Sequence, residues 1–161
     1  MPDGCAPDVT DRVFAAFKRH YAENCMVLTR PYPGIPEMLD ALKARGCKLG
    51  VVSNKADEPV KALIAHYFPG VFDSVVGERE NVRKKPAPDS VFETVGSLGC
   101  DIGQAVYIGD SDVDGQTAAN AGCDCVLVSW GFRGRETLLP FGCPIADSTD
   151  ELLNILTEGE K

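Results

Sequence analysis

Apolar residues in this chain change their spacing repeatedly, and each change marks an element. Val13, Phe14, Phe17 and Tyr21 recur at helical intervals with Lys18, Arg19 and Glu23 on the opposite side, which predicts an amphipathic helix from Val9 to Asn24. Its aromatic stripe reads as packing rather than as a ligand box. Arg30-Pro31-Tyr32-Pro33-Gly34 is then a stiff connector, because each proline fixes its own φ and pushes its predecessor out of the helical region.

Beyond the connector a helix opens near Pro36, carries Met38, Leu39 and Leu42 on one stripe, and stops at Gly46. The pattern then alternates. It predicts strand Lys48 to Val52, helix Pro59 to Phe68, strand Phe72 to Val76 and helix Asp89 to Leu98. Strand Ala105 to Ile108, helix Val113 to Ala121 closed by Gly122, and strand Cys125 to Val128 follow. Ser148-Thr149-Asp150-Glu151 is a capping box that opens a last helix through Leu156. Strands alternating with helices of this length imply βαβ crossovers and a parallel sheet, so the fold class is α/β.

Composition narrows the function classes. The 161 residues fit one domain, and 44% hydrophobic with 25% charged residues is an ordinary globular balance. A net charge of −8 repels a phosphate backbone, which sets nucleic acid aside as a partner. No apolar run approaches the roughly 20 residues that span a bilayer, and no basic-then-apolar leader opens the chain, so neither a membrane nor secretion is expected and a cytoplasmic protein is. Seven cysteines, an odd number without a C-x-x-C, and only two histidines speak against a disulfide framework and against a zinc site.

In a parallel α/β sheet the loops after the strands gather at one edge. Three polar groups stand there: Ser53-Asn54-Lys55, then Arg83-Lys84-Lys85-Pro86-Ala87-Pro88-Asp89, then Gly109-Asp110-Ser111-Asp112-Val113-Asp114. A hydroxyl with backbone N–H groups can bond phosphoryl oxygens, a lysine neutralises their charge, and one or two carboxylates hold Mg2+. Taken singly, each group also has a structural use. Ser53 and Asn54 can cap a turn, Lys84 and Lys85 can be solvated, and Asp112 or Asp114 can stabilise a helix N-terminus. Their joint placement after successive strands is what points to a site.

The run Asp110-x-Asp112-x-Asp114-Gly115 also matches the start of an EF-hand calcium loop. That reading fails because the twelfth position is Ala121 rather than Glu, and because a strand rather than a helix precedes it.

Taken in order, Tyr32-Pro33-Gly34, Val51-Val52-Ser53-Asn54-Lys55, Lys85-Pro86-Ala87-Pro88-Asp89, Gly109-Asp110 to Asp114 and Ser129-Trp130-Gly131 resemble the haloacid dehalogenase-like hydrolases, and among them the phosphoglycolate phosphatase-like branch. The resemblance implies a three-layer Rossmann-like parallel sheet. It implies that Ser53 binds the transferring phosphoryl group with the backbone of Asn54, and that Lys85 stabilises phosphoryl and nucleophile oxygens. Asp110 would ligate Mg2+ and Asp114 would support the metal or the lysine. Asp112 is read as a helix-start residue. Trp130, Phe132 and Arg133 could border the site or serve packing and surface roles. The implied partner is a small phosphorylated metabolite, phosphoglycolate being the favoured substrate.

The chain departs from this family at its start. The family opens on an apolar strand ending in Asp-x-Asp-Gly-Thr, whose first aspartate is the nucleophile and whose second is the general acid and base. Nothing before Tyr32 reads that way, and Met1-Pro2-Asp3-Gly4-Cys5 lacks the strand, the first aspartate and the threonine. The resemblance therefore makes residues 1–30 a remnant of a helical cap and residues 31–161 an incomplete core domain whose first strand is missing. In the family that strand lies between the strands placed here at Lys48 to Val52 and Ala105 to Ile108, so two inner edges should be exposed or forced together. Removing a covalent nucleophile costs on the order of 10⁶-fold in rate in a well-studied hydrolase. The expectation is an N-terminally truncated phosphatase, inactive as this chain alone. The alternative is a non-catalytic relic that binds a partner or a phosphate ligand. A split enzyme completed by a second chain is a third reading.

Overall fold

The computed structural model describes residues 7–158; the Asp3-Gly4 pair weighed above lies outside them. The chain divides into two compact units, Met1–Arg30 and Pro31–Lys161.

The first unit is built on helix α1, Pro7–Asn24, which starts two residues ahead of the apolar pattern because Pro7 suits a first turn and Asp8 complements its dipole. Phe17 and Tyr21, one turn apart, stack with ring centroids 5.7 Å apart. The stripe read as packing is nonetheless exposed: Phe14 and Phe17 keep 55% and 58% of their surface accessible. A single helix offers its own apolar side no second layer within its unit.

The second unit runs α2 (Ile35–Ala44), β1 (Gly50–Ala56), α3 (Asp57–Tyr67), β2 (Ser74–Glu78), α4 (Asp89–Ser97), β3 (Val106–Gly109), α5 (Asp112–Ala121), β4 (Asp124–Val128), α6 (Arg135–Leu138), β5 (Ile145–Ala146) and α7 (Thr149–Thr157). All strand pairs are parallel, as the alternation of elements implies. The core gathers Met38, Leu39 and Leu42 of α2, Val126 and Val128 of β4, Ala146 of β5 and Leu152 of α7. Two elements escaped the apolar pattern: β5 has two residues and α6 four, too few to show a period. The box opening α7 is also altered. The Ser148 hydroxyl accepts from the Glu151 N–H, but Glu151 reaches back to the N–H of Asp147 instead of that of Ser148.

The pairing leaves two separate ladders, β1-β2 and β3-β4-β5. Each of β1 and β3 therefore has one edge without a neighbour. Between them lies a cavity of about 660 Å3, lined among others by Val51, Val52, Val91, Val95, Tyr107 and Ile108. Val106 and Ile108 remain 44% and 40% exposed, unusual for β-branched residues in a parallel strand. The two inner edges are open rather than forced together. No helix among the described residues is long and apolar enough to cross a membrane.

Candidate functional site

Strand β1 does not stop at Val52. It continues to Ala56, but its register with β2 breaks: Val52 faces Val76 and Ala56 faces Glu78, so four steps on β1 match two on β2. The two extra residues make Ser53, Asn54 and Lys55 a bulge, which re-aims side chains at a strand end. There the Ser53 hydroxyl oxygen accepts from the Lys55 N–H at 3.1 Å, which leaves the hydroxyl hydrogen available to an outside acceptor. Burial lowers the pKa of Lys55.

Asn54 clamps the backbone of Lys85 from both sides. Its Oδ1 accepts from the Lys85 N–H at 2.9 Å and its Nδ2 donates to the Lys85 carbonyl at 3.1 Å. The following Lys85-Pro86 bond is cis, and the Pro86 carbonyl accepts from Asn120 of α5 at 2.8 Å. Lys85 is thus anchored through its main chain to β1, and its neighbour to α5. Its ammonium lies 2.7 Å from Oδ1 of Asp114 and 5.9 Å from the centre of the Tyr107 ring.

Asp114 is 5% exposed and spends both carboxylate oxygens on donors. Oδ1 accepts from Lys85 and, at 3.1 Å, from the Tyr107 hydroxyl. Oδ2 accepts from the Ser111 hydroxyl at 2.6 Å and the Asp110 N–H at 3.2 Å. Burial alone would raise its pKa, but the bonds from Lys85 and Ser111 outweigh that and hold Asp114 below the usual carboxylate range. Burial first, and then the Asp114 charge, push the Tyr107 phenol far up, so it stays a donor. Ser111 caps α5, as the Ser-x-x-Asp spacing permits, and Gly109 is required because a Cβ there would overlap Asp114.

The remaining acids differ. Asp112 opens α5 and pairs with Arg133 at 3.1 Å on the surface, in keeping with its reading as a helix-start residue. Asp110 accepts at Oδ2 from the Phe132 N–H at 2.8 Å, while its Oδ1 has no hydrogen bond among the described residues. Gly131 makes room for it, since a Cβ at that position would overlap the Asp110 carboxylate. Asp112 and Asp110 each keep one carboxylate oxygen without a hydrogen bond among the described residues, but Asp112 is tied to Arg133 on the surface, whereas Asp110 stands beside Asp114 at the strand end. No group of three or more His, Cys, Asp or Glu side chains suited to a metal ion exists among the described residues. A single carboxylate fits Mg2+, which keeps several waters and takes its other oxygens from a phosphate.

Asn54, Lys85, Asp114 and Asp110 thus form one hydrogen-bonded chain across the ends of β1 and β3, with Ser53 beside it in the bulge. Ser53 itself bonds to Lys55 rather than to Lys85 or Asp110. Lys84, beside Lys85, turns to Glu78 at 2.7 Å. Tyr107, Ser111 and the Phe132 N–H were not singled out by sequence. Tyr107 reads as a buried strand residue, and a backbone donor leaves no side-chain signal.

The model of the haloacid dehalogenase-like hydrolase family matches residues 6–128. A phosphoglycolate phosphatase of Aquifex aeolicus is 40% identical over 125 residues, covering 77% of this chain and 59% of that protein. One from Rhodospirillum rubrum is 36% identical over 143 residues, covering 87% and 58%. The crystal structure of a protein assigned as a phosphoglycolate phosphatase from Lactobacillus delbrueckii subsp. bulgaricus superposes with a TM-score of 0.91 at 41% identity, over 97% of this chain and 66% of that one. The chain therefore spans about three fifths of the length of the curated relatives it matches.

Proposed function

Since the chain belongs to the haloacid dehalogenase-like hydrolases, we propose that its strand-end site binds the phosphoryl group of a small phosphomonoester together with Mg2+, phosphoglycolate being the favoured ligand from the names of its relatives. The observation that carries this reading is the division of labour between two carboxylates. Asp114 is saturated by four donors, whereas Asp110 keeps one oxygen open beside it.

In this reading Asp114 is a positioning residue that holds the Lys85 ammonium in place. One N–H of Lys85 is used on Asp114, and the two others are free to bond phosphoryl oxygens and offset their charge. The Ser53 hydroxyl donates to a further phosphoryl oxygen, with the bulge backbone at Asn54 beside it. Mg2+, held by Asp110 through an oxygen, would supply charge neutralisation at the same phosphate. In the same reading residues 31–161 act as the core domain and residues 1–30 as part of a helical cap.

The covalent step needs a nucleophilic carboxylate and a general acid, which none of these side chains is placed to be. Lys85 is cationic, Asp114 is occupied, and Asp110 faces the metal role. We therefore read these 161 residues as ligand-binding with little or no turnover of their own. The cavity between β1 and β3 favours this reading, since two unpaired strand edges face the place where a further strand would sit.

Calorimetric titration of the purified chain tests both parts. Inorganic phosphate should bind in the presence of Mg2+, Asp110→Ala should abolish the Mg2+ dependence, and Lys85→Ala should abolish phosphate binding. Absence of any response to phosphate and Mg2+ overturns the site. Phosphoglycolate hydrolysis that vanishes in Asp110→Ala overturns the claim of low turnover.

A further inference from the structure

At the edge of the sheet opposite Asp110, a second cavity of about 610 Å3 is lined by three thiols, Cys123, Cys125 and Cys143, with Gly115, Ala119 and Phe141. None of these groups takes part in the site described above. Each of the three cysteines is free and partly accessible.

Two of them are level with each other. Strands β4 and β5 pair Leu127 with Ile145 and Val128 with Ala146, and the Leu127 N–H donates to the Pro144 carbonyl at 2.9 Å. The ladder stops at Ile145, and Cys143 lies in the bend just before it; continuing the register two residues back along both chains brings Cys125 level with Cys143. Residues opposite one another on neighbouring strands lie about 4.8 Å apart, inside the range of roughly 4.4–6.8 Å between Cα atoms that a disulfide spans. Side chains at such a pair leave the sheet on the same face, and both thiols line the same cavity. Cys123 sits on β4's own chain two residues away, where it has no facing position on β5.

We propose that Cys125 and Cys143 form a reversible disulfide that staples β5 to β4, with a glutathione-type disulfide as oxidant. The sulfur of Cys143 attacks one sulfur of oxidised glutathione and displaces the first glutathione, which takes up the Cys143 proton. The sulfur of Cys125 then attacks Cys143 in the mixed disulfide, and the second glutathione leaves with the Cys125 proton. The two cysteines lose two electrons and the oxidant becomes two thiols, so the exchange is balanced. The order follows from the surroundings. Burial, and then the neighbouring Cys143 thiol, push Cys125 up to about 12, which makes it the poorer first nucleophile. The bond would close a loop that carries Phe132 and Arg133, the residues bonded to Asp110 and Asp112. It would also tether a strand held by only two residues of ladder.

The full chain is incubated with oxidised glutathione, unfolded under acid quench, and its thiols are counted and its peptides mapped. Two of the seven thiols should be lost together, with a 125–143 linked peptide that dithiothreitol releases. Cys125→Ser should instead trap glutathione on Cys143, and Cys123→Ser should still form the link. The linked protein should unfold at higher urea concentration than the reduced one. A map in which glutathione or disulfides appear on other cysteines while 125 and 143 stay unlinked overturns the proposal, and this reading of the unaltered chain does not depend on any variant folding.

Discussion

The ammonium of Lys85 and the carboxylate of Asp114 meet at 2.7 Å with 14% and 7% of their side chains exposed, so this is a shielded ion pair and not a surface one. Breaking such a pair from one side leaves an uncompensated charge, which costs about 3–5 kcal/mol. Asp114→Asn keeps the shape and removes the charge. It should lower the unfolding free energy by about that amount, read from urea denaturation at neutral pH. A change below about 1 kcal/mol, the ceiling for exposed pairs, would contradict the shielding.

Acid should act through the same carboxylate. Because the folded-state pKa of Asp114 lies below its ordinary value, the stability it contributes is complete above the unfolded value of about 3.9 and is lost as pH falls through the lower, folded value. Wild-type urea midpoints should therefore drop more steeply below pH 4 than those of Asp114→Asn. Parallel curves for the two proteins would show that other carboxylates carry the acid sensitivity.

Asn54→Ala removes both amide bonds to the Lys85 backbone. At about 0.5–1.5 kcal/mol for each net hydrogen bond, a loss of about 1–3 kcal/mol is expected. Phosphate affinity should fall as well, since Lys85 is positioned by that clamp. Asn54→Asp should restore at most the bond from the Lys85 N–H, so its stability should fall between the two.

Gly131→Ala places a methyl group against the Asp110 carboxylate. The substitution should weaken Mg2+-dependent phosphate binding by about tenfold or more, equal to about 1.4 kcal/mol. Stability should fall as well, because Gly131 is half-buried and the Asp110 side chain must shift to relieve the overlap. Unaltered Mg2+ dependence in calorimetry would mean that Asp110 is not where the metal acts.

Much of this was legible in sequence where side chains alternate in period. The apolar run Val106 to Ile108 followed by Gly109 and the three acids located the site, because an abrupt end of hydrophobicity is itself the end of a strand. The helices α2, α4, α5 and α7 were legible to within two residues through their stripes and caps. What escaped was register. Nothing in Ser53-Asn54-Lys55 reveals that two residues are surplus to the ladder, since a bulge is a relation between two strands. The roles of Asp110, Asp112 and Asp114 were similarly undivided in sequence, where three acids at alternate positions look alike. Burial and the positions of Lys85, Arg133 and the Phe132 N–H separate them.

The unfilled space between β1 and β3 also determines how the second unit comes apart. No ladder joins β1-β2 to β3-β4-β5, so the two halves are coupled through side chains: Val91 and Val95 of α4 packed with Val52 on one side and Tyr107 on the other, the core around α2, and the Lys85–Asp114 pair. Backbone amides in the two ladders should then exchange with solvent deuterium as two populations with separate opening free energies, and Val95→Ala should loosen the concert between them further. A domain of this size with one continuous sheet would open as a single cooperative block; here α4, the core around α2 and the Lys85–Asp114 pair are the seams that make two fold as one.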